Sequence, residues 1–212
     1  MRNDKNIAGM ARFGINPANT LGVSMPKLRR LGKQIGKNHV LALEIWDSGI
    51  HEAKILASII DDHTLVTSGQ MDKWVKDFDS WDVCDQVCMN LFRYTPFAHK
   101  KAVEWAGKQK EFVKRAGYAM MACLASGDKK ANDADFIKFF SLIKKAASDE
   151  RNFVRKAVNW ALRQIGKRNR ALNMAAIKLA DEIIKMKEKS AKWVAADALR
   201  ELKSPEIQKR LK

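Results

Sequence analysis

The chain has 212 residues, 46% of them hydrophobic, with 40 Lys and Arg against 24 Asp and Glu, a formal net charge of +16. That is enough apolar material for one large domain or two small ones, and too much for a disordered chain. No apolar run approaches the ~20 residues of a membrane span, and Cys84, Cys88 and Cys123 form neither a disulfide framework nor a paired Cys-x-x-Cys zinc pattern.

Apolar residues recur at three- and four-residue spacing almost throughout, with only 11 Gly and 4 Pro as punctuation. The pattern predicts helices near 3–12, 26–36, 39–47, 51–60, 70–79, 82–93, 97–107, 111–125, 133–147, 151–166, 170–187 and 190–202. Pro26 after Ser24 and Met25 is a helix-start signal, Asp133 is placed to cap the helix beginning near Ala134, and Gly127 closes the one before it. The stretch GINPANTLGV at 14–23 reads as an ordered loop. The N-terminal MRNDKNIAGMARFG has no signal-like apolar segment, so a reduced, cytoplasmic protein is expected.

The segment EFVKRAGYAMMACLA at 111–125 aligns with NFVRKAVNWALRQIG at 152–166 at an offset of 41, and AKWVAADALREL at 191–202 is a weaker echo. A period near 40 built of paired helices predicts an all-α chain of HEAT-like repeats, a curved solenoid with a concave face, and residues 1–212 are taken as one such domain. A pI of about 9.9 points to an anionic partner, nucleic acid first. A membrane-surface helix would gather its cations on one segment, whereas here Lys and Arg are spread along the chain.

Helical wheels show what faces away from the core. In 151–166, Val154, Val158, Ala161 and Ile165 form the buried stripe, and Trp160 lies roughly 140° away beside Lys156, Arg163 and Lys167. Such a tryptophan either packs on a neighbouring repeat or serves as a platform flanked by phosphate-binding cations. In 111–125, Val113, Gly117, Met120 and Leu124 make the stripe and Arg115 points nearly opposite, toward solvent or a phosphate. In DSWDVCDQVCMNLFRY, Ser80 can cap, Val83, Val87 and Leu91 face the core, and Asp82 complements the helix start. Trp81 and Asp85, four apart, fall together on the other side, a carboxylate beside an aromatic platform that suits a developing cation. His39, His51, His63 and His99 are scattered, so no zinc cluster or Ser-His-Asp triad is visible, and no phosphate-loop glycine pattern occurs.

HEAKILASIID at 51–61, SWDVCDQV at 80–87, FVKRAGYAM at 112–120 and NFVRKAVNWALRQIGKRN at 152–169, in that order and after FGINPANTLGVSMPKLRRLGK, together resemble the AlkD-type DNA alkylation repair glycosylases. The resemblance covers nearly the whole chain. It implies HEAT-like repeats with a concave basic groove for duplex DNA, and hydrolysis of the N-glycosidic bond of cationic N3- or N7-alkylated purines without extrusion into a pocket. It further implies Asp85 as the catalytic carboxylate, Trp81 and Trp160 as sugar-contacting aromatics, and Arg115 as a phosphate contact, with Lys156, Arg163 and Lys167 as further DNA-binding cations. Phe13 is the candidate for an aromatic from the family's N-terminal helices. No metal or other cofactor is implied, and one monomer suffices. The alternatives are a non-catalytic array that binds bent or branched DNA by shape, and a protein-binding HEAT scaffold.

Overall fold

The computed structural model describes residues 2–211 and divides by its internal packing into two units, Met1–Phe97 and Ala98–Lys212. Regular structure in both is helical. Unit 1 contains α1 (Asp4–Arg12), α2 (Met25–Ile35), α3 (His39–Asp47), α4 (His51–Ile60), α5 (Ser68–Trp74) and α6 (Trp81–Asn90), with short 3-10 turns after α5 and α6. Several starts have a local cause. Asn3 caps α1, its side chain accepting from the Asn6 amide at 3.1 Å, and Pro26 sits in the first turn of α2.

The loop from Phe13 to Ser24 is ordered by α4 as well as by bonds of its own, such as that from the Thr20 hydroxyl to the Asn16 carbonyl at 2.9 Å. The buried Glu52 carboxylate accepts from three consecutive amides, Leu21 (2.8 Å), Gly22 (2.6 Å) and Val23 (3.0 Å). Gly22 has φ +74°, and a Cβ there would lie 2.4 Å from the Asn3 carbonyl oxygen, so only glycine lets the loop pass against the start of α1. Beneath α3 and α5, Trp46 and Trp74 stack with centroids 3.9 Å apart, and the Trp46 indole N–H finds Asp77 at 2.9 Å.

Unit 2 contains α7 (Ala98–Ala106), α8 (Glu111–Gly127), α9 (Asp133–Ile137), α10 (Phe140–Ala146), α11 (Asn152–Gly166), α12 (Arg170–Ile183), α13 (Lys189–Leu202) and α14 (Pro205–Arg210). The two 41-offset segments are α8 and α11, and they pack directly on one another; α13, the weaker echo, packs on α11 in turn. Paired helices repeated in series are what the periodicity predicts. Every residue from Arg115 to Ala125 is buried, because α8 lies between α7 and α11. The α7–α8 approach is so close that a Cβ on Gly117 would lie 2.3 Å from the Ala106 nitrogen.

The expected helix over 133–147 is two helices. At Lys138–Phe139 the bonding tightens to an i→i−3 link, Phe139 N–H to the Phe136 carbonyl at 3.0 Å. Asn132, not Asp133, holds the capping position of α9. The helix α14 lay beyond the predicted elements, although Ser204-Pro205 is a start signal of the kind seen at α2, with Ser204 accepting from the Ile207 amide. Among the described residues no helix is long and apolar enough to cross a membrane.

Candidate functional site

On α6 the inward face is set as the wheel requires: Val83, Val87 and Leu91 are fully buried, as are Cys84 and Cys88. Trp81 and Asp85 are half-buried on the remaining face, one turn apart. The Trp81 indole N–H donates to the Phe13 carbonyl at 3.0 Å, which ties the first turn of α6 to the end of α1. Phe13 therefore meets the site through its backbone, while its ring stays 74% exposed. Asp85 is itself engaged by neighbouring groups.

Sequence reasoning missed the group that fixes this turn. Asp82 receives His51 Nε2 at 2.8 Å and the Ser80 hydroxyl at 2.7 Å. Ser80 thus occupies the capping position without capping, its hydroxyl turned to Asp82. Burial pushes the Asp82 carboxyl up, but the hydrogen bonds from His51 and Ser80 and the His51 charge outweigh it and hold the carboxyl below its ordinary value. The His51–Asp82 hydrogen bond joins the start of α4 to the start of α6 across 31 residues of sequence, a separation at which no local spacing rule operates. Above it lies a mainly apolar cavity of about 680 Å³, walled by Met10, Phe13, Val23, Leu28, Ile55 and Trp81.

The other predicted site residues belong to unit 2. Arg115 is buried, 5% exposed, and its Nη1 donates to the Phe153 carbonyl at 2.6 Å. The helical wheel puts Arg115 opposite the predicted stripe, toward solvent or a phosphate, but that position is covered because α8 packs on both α7 and α11. Trp160 is half-buried, and its indole N–H faces the Gln164 side-chain amide. Arg163 and Lys167 both pair with Glu201, Lys167 at 2.5 Å, and so clasp α11 to α13. Burial raises the Glu201 carboxyl, and hydrogen bonds from Lys167 and Arg163 more than reverse that. Lys156 is exposed and has no ion pair among the described residues. Asp85, Arg115 and Lys156 share a register: each stands two residues after the first buried valine of its helix, Val83, Val113 and Val154.

Basic residues are spread along the chain, yet the net charge is not. Residues 1–97 hold 12 Lys and Arg against 11 Asp and Glu, net +1, and residues 98–212 hold 28 against 13, net +15. Among the described residues no three His, Cys, Asp or Glu side chains gather as a metal site would require.

An all-helical array of paired repeats with this α6 face defines a class. The profile of the DNA alkylation repair enzyme family matches residues 1–204, and the chain belongs to that family. A solved structure described as from a new family of proteins related to the HEAT-like repeat DNA glycosylases, with affinity for branched DNA structures, is similar over 94% of this chain and 90% of that one. The TM-score is 0.77 and the identity 18%, which establishes a shared HEAT-like fold. No curated protein matches the chain.

Proposed function

We propose that the protein is a monofunctional DNA glycosylase that releases cationic N3- and N7-alkylated purines from double-stranded DNA, the whole chain acting as one monomeric domain. The observation that carries this reading is the Trp81–Asp85 pair, left half-exposed on a helix whose opposite face is fully buried, in a chain of the DNA alkylation repair family. Alkylation at N3 or N7 gives the purine a positive charge, so it departs as a neutral base and needs no general acid. The C1′–N bond breaks with its electron pair passing to the purine. Asp85 then faces an oxocarbenium-like sugar, which its negative charge stabilises, and it orients the water whose oxygen bonds to C1′ as the water gives up a proton. Trp81 presents its ring face to that charge, and Trp160 is the second sugar-contacting aromatic of this reading. Lys156 holds backbone phosphate, with Arg115, Arg163 and Lys167 as the further phosphate contacts of this reading. Discrimination against undamaged purines lies in leaving-group quality, so no base pocket is needed.

The test is base release from a duplex with one N7-methylguanine, wild type beside Asp85→Asn, at saturating protein. Release well above the spontaneous rate and its loss in the variant, with DNA affinity retained, is the expected result. Unchanged release in Asp85→Asn would remove that residue from the chemistry. The second reading is a non-catalytic binder of bent or branched DNA, favoured by the affinity described for the similar structure. It predicts salt-sensitive binding with no release, from N3-methyladenine as well as from N7-methylguanine.

A further inference from the structure

Trp193, the fifth residue of α13, stands immediately before the buried Val194, as Phe153 stands before Val154 on α11 and Phe112 before Val113 on α8. The two phenylalanines cover one another, with ring centroids 5.4 Å apart. Trp193 has no ring partner among the described residues and remains 39% exposed. What lies against it is a cation: the Arg155 guanidinium is 4.8 Å from the ring centroid, steadied by Asn152 Oδ1 at 3.1 Å. The Arg155 Nε is buried with no hydrogen-bond partner, so stacking on the indole is what receives that part of the group.

The surroundings are cationic. Lys156, Lys189 and Lys192 are exposed nearby in sequence, against Glu150 and Glu188. Asp149 is already taken by Lys114 and Arg151, and Asp197 by Arg163 and Arg200. A paired base hides both of its faces in the duplex stack, so an open indole face gains only from a base that has left it, at a strand end or a branch. An indole stacked on a guanidinium, with exposed lysines close by in sequence, suits such a base and its phosphates together.

We propose that Arg155 and Trp193 form a stacking platform for an unpaired nucleotide of DNA, on the unit that does not carry Asp85. The proposal rests on the reading that the protein binds DNA, and it needs no glycosylase activity. The test is equilibrium binding of a blunt duplex and of the same duplex with a short single-stranded overhang, by fluorescence anisotropy, in wild type, Trp193→Ala and Trp193→Phe. Wild type should favour the overhang by roughly five- to tenfold, the scale of one stacked base. Trp193→Ala should lose that preference with blunt-duplex affinity unchanged, and Trp193→Phe should keep most of it. If the alanine variant does not fold, Arg155→Gln reads the same loss. Equal wild-type affinity for the two DNAs, or a preference that survives in Trp193→Ala, overturns the platform while leaving DNA binding intact. No binding of either DNA brings down the DNA reading itself. A change of oligomeric state in Trp193→Ala, seen by sedimentation, assigns the surface to a second copy of the chain and likewise overturns the proposal.

Discussion

Arg115→Ala separates two roles that coincide at one side chain. The guanidinium is buried and donates to the Phe153 carbonyl at 2.6 Å, which ties α8 to α11. A hydrogen bond from a charged donor contributes about 1.5–3 kcal/mol, and the two side-chain methylenes lost add about 0.8 kcal/mol each. The loss of stability is therefore about 3–5 kcal/mol, which in a chain of this size lowers Tm by roughly 10 °C. Its proposed contact with a DNA phosphate would show separately, as a fall of about 0.9 in the slope of log affinity against log salt. Thermal unfolding and DNA titrations at several salt concentrations read the two effects independently, and Arg115→Lys should restore the slope but only part of the Tm. A Tm that does not move would refute the assigned value of the buried hydrogen bond. A Tm that falls while the salt slope stays at its wild-type value would make Arg115 a pin between α8 and α11 and remove it from the DNA contacts.

Gly117→Ala should destabilise by about 2 kcal/mol in denaturant unfolding, because helix propensity favours alanine by only ~1 kcal/mol while the added Cβ forces the Ala106 backbone away at about 3 kcal/mol. Glu52→Gln should loosen the Leu21–Val23 loop: hydrogen exchange at those three amides rises by at least tenfold, since an amide oxygen replaces a carboxylate holding all three. Asp149 is held far below the ordinary carboxylate range, first by its hydrogen bond from Arg151 and then by Lys114, against the opposing effect of burial. A depressed folded-state value means the stabilisation is fully present above the unfolded value of about 3.9 and lost as pH falls below it. The Tm gap between wild type and Asp149→Asn should accordingly be full at neutral pH and close in acid; a gap constant from pH 7 to strongly acidic pH would show that ionisation has no part in it.

Much of the architecture was legible in the sequence because helix periodicity reports a buried stripe directly. Val154, Val158, Ala161 and Ile165 are all fully buried, and so are Val83, Val87 and Leu91. What periodicity cannot report is whether the opposite face is covered too. Arg115 shows the failure: α8 lies between two helices, so the position that the wheel puts on the polar face is inside. Arg163 and Lys167 show a milder form, since their pairing with Glu201 spans 34 to 38 residues and depends on α13 packing against α11. The His51–Asp82–Ser80 group was invisible for the same reason. Asp82 as a helix-start charge and Ser80 as a cap are sound local expectations, and a buried histidine from another helix redirects both. By contrast, Ser204-Pro205 carried a legible local signal for α14.

The distribution of charge bears on how the proposed chemistry and DNA affinity are related. An Asp that must favour a developing cation is weakened by every cation near it: at an effective dielectric of about 20, a unit charge ~10 Å away is worth roughly 1.7 kcal/mol. Unit 1, which carries Asp85, is close to neutral, with 12 basic residues against 11 acidic. Unit 2 carries a net +15 and therefore most of the long-range attraction for a polyanion. Affinity and chemistry should then be separable by substitution. Lys156→Gln, which removes an exposed cation without an ion pair, should lower affinity and salt slope but leave release at saturating protein unchanged. Asp85→Asn should do the reverse. If each substitution instead lowered both quantities in proportion, the chemistry would depend on how tightly the DNA is held, and the division of charge between the two units would carry no functional meaning.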